Sequence, residues 1–141
     1  MIDKEIIKIA SNTENHGVLD NCTHFSKLKN PVCGDEMKVY LIVKNNFIAN
    51  FKYECESCIY CQASVSLLSR KSKNKSVKKF KNFTKQAKNS FEKNTNSFDK
   101  EWKEFDKIMT TKNISRKECL LLPLNTTLNA LNKKTLLNLK K

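Results

Sequence analysis

Six cysteines, at 22, 33, 55, 58, 61 and 119, are the residues with most chemistry to offer in this chain of 141. Cys33 sits in NPVCGDEMKVY, Asn30 to Tyr40, where one of only two glycines separates it from Asp35. Both flanking side chains are potential metal ligands, and glycine lets the backbone turn tightly between them. An ion held there needs further ligands from elsewhere in the chain.

The dense group is CESCIYC, Cys55 to Cys61. Its spacing opens the bacterial ferredoxin pattern, but that pattern then needs a cysteine and a proline where this chain has Val65 and Ser66. A structural zinc ribbon needs a second close pair, and Cys119 has no cysteine neighbour. Cys58-Ile59-Tyr60-Cys61 also fits a thioredoxin-like redox pair, whose thiol a helix N-terminus would acidify, although a hairpin precedes it and not a βαβ unit. Cysteine also serves as a small buried apolar residue, which is the reading for Cys22 and Cys55. His16 and His24 fall in a polar loop and read as solvated side chains, not ligands.

The elements that must position these groups follow from periodicity. Ile2, Ile6, Ile7 and Ile9 predict a short amphipathic helix over residues 2–12, and a polar loop follows to Pro31. MKVYLIVK and FIANFKYE read as two strands joined at Asn45-Asn46, a two-residue hairpin, with Phe47, Ala49, Phe51 and Tyr53 on one face. After CESCIYCQ, Ala63, Val65, Leu67 and Leu68 recur at helical steps to about Ser69. Residues 70–96 are Lys, Asn and Ser with sparse aromatics, a weak basic helix or a partly ordered insertion. A helix capped by Ser97 is expected to carry Trp102, Phe105, Ile108 and Met109 on one face. The last helix is expected from about Leu122, with Pro123 in its first turn and Leu124, Leu128, Leu131, Leu136, Leu137 and Leu139 along it. No internal repeat is visible.

Composition bounds the rest. The length suits one domain, and 39% hydrophobic against 29% charged residues excludes a compositionally disordered chain. A formal charge of +13 predicts acidic partners. Lysine far outnumbers arginine, present only as Arg70 and Arg116, which argues against a dedicated phosphate-reading surface. No apolar run is long enough to span a bilayer, and MIDKEIIKIAS lacks the features of a signal peptide. The protein therefore reads as cytoplasmic, where cysteines stay reduced or metal-bound.

NPVCGDEM, CIYCQASVS and RKECLLLP together resemble the three cysteine motifs of the U-type iron–sulfur cluster assembly proteins, the family of IscU, SufU and the N-terminal domain of NifU. The first motif of that family reads N-P-x-C-G-D. The second, a glycine–cysteine step followed by A-S-x-S, is matched by Cys58 and by Ala63 to Ser66. The third cysteine precedes the last helix and is matched by Cys119. NTENHGVL, Asn12 to Leu19, is similar to the family's N-P-x-N-x-G-x-L segment. The SufU-like branch fits better, because a long segment separates Cys58 from Cys119, Leu122-Pro123 follows it, and Glu118 stands where IscU-like members have histidine. Ser57 replaces the usual glycine, and Cys55 and Cys61 are additional thiols.

The resemblance implies an α+β fold, a small antiparallel β-sheet with helices packed on one face. It implies a single domain, 1–141, with a basic helical insertion at about 70–112. It implies Cys33, Asp35, Cys58 and Cys119 as metal ligands, from three loops near one end of the hairpin, and Cys33 as sulfur acceptor. Three thiolates and a carboxylate suit tetrahedral zinc, and equally iron or a transient [2Fe–2S] cluster, which a labile carboxylate would release. Asp35 capping the adjacent backbone is the plainer alternative. The implied partners are a cysteine desulfurase and downstream iron–sulfur apo-proteins or carriers, with no membrane. The implied activity is at most that of a zinc-dependent sulfurtransferase, otherwise that of a scaffold or sulfur carrier. The competing expectation is a basic zinc-containing nucleic-acid-binding module, resting on the charge and on RKSKNKSVKKFKNFTKQAKNS, which interleaves lysine with Phe80 and Phe83.

Overall fold

The computed structural model describes residues 3–91 and 98–133. Its sheet is built on a hairpin of β2 (Glu36–Lys44) and β3 (Phe47–Glu56). Asn45 and Asn46 join them with φ of 52° and 64°, the left-handed pair that a tight hairpin turn demands and that asparagine tolerates. The register then shifts. Ile42 pairs with Asn50 and Val43 with Ile48, so Ala49 is the extra residue of a bulge. This corrects the expected facing: Ile48, Phe51 and Tyr53 are buried, whereas Phe47 and Ala49 are exposed.

A third strand, β1 (His24–Lys29), pairs antiparallel with β2 and completes a sheet of order β1-β2-β3. The stretch expected as polar loop is thus in part a strand. The two fully inward positions of β1 are His24 and Ser26, so the strand lacks the apolar alternation that marks one. His24 is buried, contrary to its expected solvation, while His16 is exposed and meets Tyr53 edge to face. On the outer side of β3, the N–H of Gly17 donates to Tyr53 O and the N–H of Tyr53 donates to Asn15 O, which covers that sheet edge.

Helices cover the sheet face that carries Met37, Val39, Leu41 and Phe51. Helix α1 (Lys4–Ala10) starts at Asp3, whose carboxylate accepts the N–H of Glu5. It buries Ile6 and Ile9 against the next helix and leaves Ile7 exposed; Ile2 lies outside the described residues. Helix α2 (Ile59–Ser72) lies between α1, the sheet and the last helix, and buries Cys61, Ala63, Val65, Leu67 and Leu68.

Helix α3 (Val77–Ser90) resolves the ambiguity of the lysine-rich stretch. Ser76 caps it, and Phe80, Phe83, Thr84 and Ala87 form its buried stripe. Phe83 stacks on Trp102 at 4.1 Å with an interplanar angle of 7°. Trp102 and Phe105 come from a 3-10 stretch, Lys100–Lys107, where an α-helix was expected; the expected cap, Ser97, lies outside the described residues. A second 3-10 stretch, Thr111–Arg116, leads into α4 (Lys117–Leu131).

Helix α4 begins before the expected Leu122, and Pro123 stands inside it, not in its first turn. Proline has no N–H for the carbonyl four residues earlier, which is that of Cys119. The helix survives through packing, with Leu120, Leu121, Leu122 and Leu124 buried across β1, β2 and α2. Leu136, Leu137 and Leu139 lie outside the described residues. None of the described helices is long and apolar enough to cross a membrane.

Candidate metal centre

The loop carrying Cys33 is closed by Asn30. Its N–H donates to Asp35 O at 2.7 Å, its carbonyl accepts the N–H of Gly34 at 2.8 Å, and its side-chain oxygen accepts the N–H of Val32 at 3.0 Å. Gly34 has φ of 77°, which its lack of a Cβ permits. The turn leaves Cys33 exposed and places Asp35, 7% exposed, immediately before β2.

Cys58 is the N-cap of α2, with extended backbone and no side-chain capping bond. Its N–H donates to Asp35 Oδ1 at 3.2 Å. The other carboxylate oxygen, Asp35 Oδ2, is buried without a hydrogen-bond partner. Such an orphan costs about 1–3 kcal/mol or more, and a cation there would remove the cost. Asp35 thus caps the start of α2, 23 residues away, and not the adjacent backbone, and it uses one oxygen to do so.

Cys119 lies in the first turn of α4 and is 6% exposed. Its Sγ is 3.8 Å from Cys33 Sγ. Thiolates about 2.3 Å from a tetrahedral ion sit about 3.8 Å apart, so this separation suits a shared ion. The donor atoms of Cys33, Asp35 and Cys119 all lie within 4.8 Å of one another. Cys58 is not one of that trio; it adjoins through its N–H to Asp35 and through a thiol that bears on Cys119. Burial first, then the Cys58 and Cys33 thiols, push the Cys119 thiol well above its usual range. Crowded thiols resist ionising together, and a bound cation is what reverses that preference.

Three hydrogen bonds of α2, one to α4 and two to the loop after α1, hold these groups in place, and sequence reasoning assigned them no role. Ser64 Oγ donates to Leu120 O at 2.6 Å, pinning α2 to α4 one residue past Cys119. Ser66 Oγ donates to Asn12 O at 2.6 Å, and Asn15 Nδ2 donates to Ser69 Oγ at 3.1 Å. The serines of ASVS are therefore fasteners, legible only once the partner carbonyls are known. Arg116 lies over the Tyr60 ring at 5.1 Å, a cation–π contact between the start of α4 and α2.

The remaining thiols are placed unequally. Cys22 is half-buried and its charge would bear on Tyr40. Cys55 is half-buried, packed against the core and within electrostatic reach of Asp35 and Cys58. Cys61 is fully buried.

A sequence profile of the NifU-like N terminal domain matches residues 1–97. The iron–sulfur cluster assembly scaffold protein IscU of Thermotoga maritima is 35% identical over 68 residues, 48% of each chain. IscU 1 of Archaeoglobus fulgidus is 28% identical over 85 residues, 60% of this chain and 56% of that one. The chain thus spans about half the length of the curated relatives it matches. A candidate iron–sulfur cluster assembly scaffold for the SUF system of Fervidobacterium islandicum superposes with TM-score 0.83 at 26% identity, covering 93% of this chain and 96% of that one. The N-terminal part of a NifU-like protein from Brucella abortus shares the fold, with TM-score 0.85 at 18% identity over 92% and 90% of the two chains. On the match to residues 1–97, the chain belongs to the NifU-like N terminal domain family.

Proposed function

We propose that the protein acts in iron–sulfur cluster assembly, accepting sulfur at Cys33 from a cysteine desulfurase and holding a nascent [2Fe–2S] cluster for delivery to apo-proteins or carriers. The observation that carries this reading is the buried, unpartnered Asp35 Oδ2 set among the thiols of Cys33 and Cys119. Cys33, Asp35, Cys58 and Cys119 form the ligand set, and the donor chemistry suits zinc as well as iron. The whole chain acts as one unit, its lysine-rich segment at about 70–112 being an insertion in the cytoplasmic SufU-like manner.

Each residue's task follows from its position. Cys33 is the exposed thiol on a loop fastened by Asn30, so it can meet a partner's persulfide without opening the fold. Cys119 stands beside it at the buried wall. Asp35 holds the α2 N-terminus with one oxygen and offers the other. Zinc, when bound, would keep the thiols deprotonated at neutral pH. A carboxylate is the weakest donor of the set toward iron, which favours release of the finished cluster.

The nucleic-acid reading loses its stacking surface, because Phe80 and Phe83 are buried in the core. The deciding experiment measures sulfur transfer from a cysteine desulfurase to the protein, with peptide mapping. Persulfide on Cys33, absent in Cys33→Ser, is expected. A desulfurase that leaves every thiol unmodified would overturn the sulfur-acceptor role.

A further inference from the structure

Cys61 is a thiol that the ligand set does not use, and its placement is specific. Cys58 caps α2, and Cys61 follows three residues later in the first turn, with 0% exposure. Residues three apart share a helix face, with Cβ atoms about 5–6 Å apart. A disulfide needs Cα atoms about 4.4–6.8 Å and Cβ atoms about 3.5–4.5 Å apart, so bonding this pair requires the N-cap to close by about an ångström or more onto its first-turn partner. The pair has an outer thiol at the helix cap and an inner thiol buried beneath it.

The inner thiol lies within electrostatic reach of the centre. Ser57, Cys55, Asp35 and Cys58 are the groups that act on it. Burial is the first cause that pushes the Cys61 thiol above its usual range. A buried thiol held one turn from Cys58 can bring to sulfur chemistry there both an electron pair and a proton.

We propose that Cys61 is the resolving thiol of the centre, attacking Cys58 Sγ when Cys58 carries a sulfane sulfur and releasing that sulfur as hydrosulfide. This rests on sulfur reaching the centre as proposed above. Sulfur accepted at Cys33 passes by persulfide exchange: the Cys58 thiolate attacks the outer sulfur and the Cys33 thiolate departs. Cys61 Sγ then bonds to Cys58 Sγ. The bond from Cys58 Sγ to the outer sulfur breaks, and the outer sulfur leaves with the electron pair and the Cys61 proton. The products are a Cys58–Cys61 disulfide and hydrosulfide, the oxidation level at which sulfur enters a cluster. A dithiol reductant supplies the two electrons that reopen the disulfide. Confinement on one helix turn offsets the high thiol pKa by proximity.

The test uses the reduced, metal-stripped full chain, loaded with inorganic polysulfide, desalted under anaerobic conditions and left without reductant. Wild type is expected to release about one hydrosulfide per sulfur held on Cys58 while a Cys58–Cys61 disulfide appears in peptide maps. Cys61→Ala and Cys61→Ser are expected to load Cys58 equally and release sulfide at least about tenfold more slowly. Zinc binding and circular dichroism matching wild type show that the variants fold. Loaded Cys58 with equal release in wild type and Cys61→Ala overturns the resolving role alone, as does a map showing Cys55–Cys58 instead. A wild-type chain that takes up no sulfur overturns this role and the sulfur-acceptor reading together.

Discussion

Asp35 Oδ1 accepts the N–H of Cys58 at 3.2 Å while Asp35 Oδ2, in the same buried carboxylate, has no partner. One oxygen fixes the start of α2 and the other is left to a ligand. Asp35→Asn keeps an acceptor for Cys58 and removes the anionic donor. Zinc affinity, measured by competition with a chromophoric chelator, is expected to fall by about 10–100-fold. The thermal stabilisation that zinc gives the wild type should shrink in parallel. Unchanged affinity would take Asp35 out of the ligand set.

Gly34 tests whether the loop or the ligands themselves set the geometry. A Cβ at this position meets nothing within 4 Å, so an alanine there suffers only from the positive φ of 77°. That strain is about 1–2 kcal/mol. Gly34→Ala should lower the urea midpoint by a corresponding amount, and it should weaken zinc binding by letting the loop relax away from Cys119. A variant with lowered stability and intact zinc affinity would show that Asn30 alone holds the loop.

Phe83 is the hinge of the packing between α3 and the 3-10 stretch, with its ring on the chain's single tryptophan, Trp102. Phe83→Ala is expected to cost about 3–5 kcal/mol. Tryptophan emission should shift to longer wavelength as Trp102 loses its cover, which separates local loosening from global unfolding followed by circular dichroism. Stability within experimental error of wild type would mean that this part of the chain is not joined to the main core.

Much of the fold was legible because local chemistry and tertiary need agree. Asn45 and Asn46 adopt the φ values that a two-residue hairpin requires, and the apolar steps of α2 are all buried. What escaped notice lay where they disagree. Strand β1 turns His24 and Ser26 inward, Ala49 adds a residue to β3 and flips its facing, and Pro123 sits inside a helix held by leucine packing. At the site, Cys33 and Asp35 announce themselves through the glycine between them. Asn30 and Ser64 do not, because what they do depends on carbonyls and amides brought near only by folding.

His24, at the end of β1 opposite the Asp35 loop, offers a pH test away from the proposed ligands Cys33, Cys58 and Cys119. It is buried on β1 with Nδ1 2.8 Å from Thr23 Oγ1, beside a cavity also lined by Lys81. Burial lowers its pKa below the ordinary value of 6.5. The unfolded chain therefore takes up a proton on His24 at higher pH than the folded chain does, and stability rises with pH across that interval. Above about pH 6.5 both states are neutral and His24 has no effect. As pH falls from there toward the depressed folded value the protein loses stability, and below it the loss is constant until the carboxylates begin to titrate. Urea unfolding between about pH 5 and 7 should show this decline in the wild type and a flatter profile in His24→Gln. Parallel profiles for the two proteins would place the titrating group elsewhere.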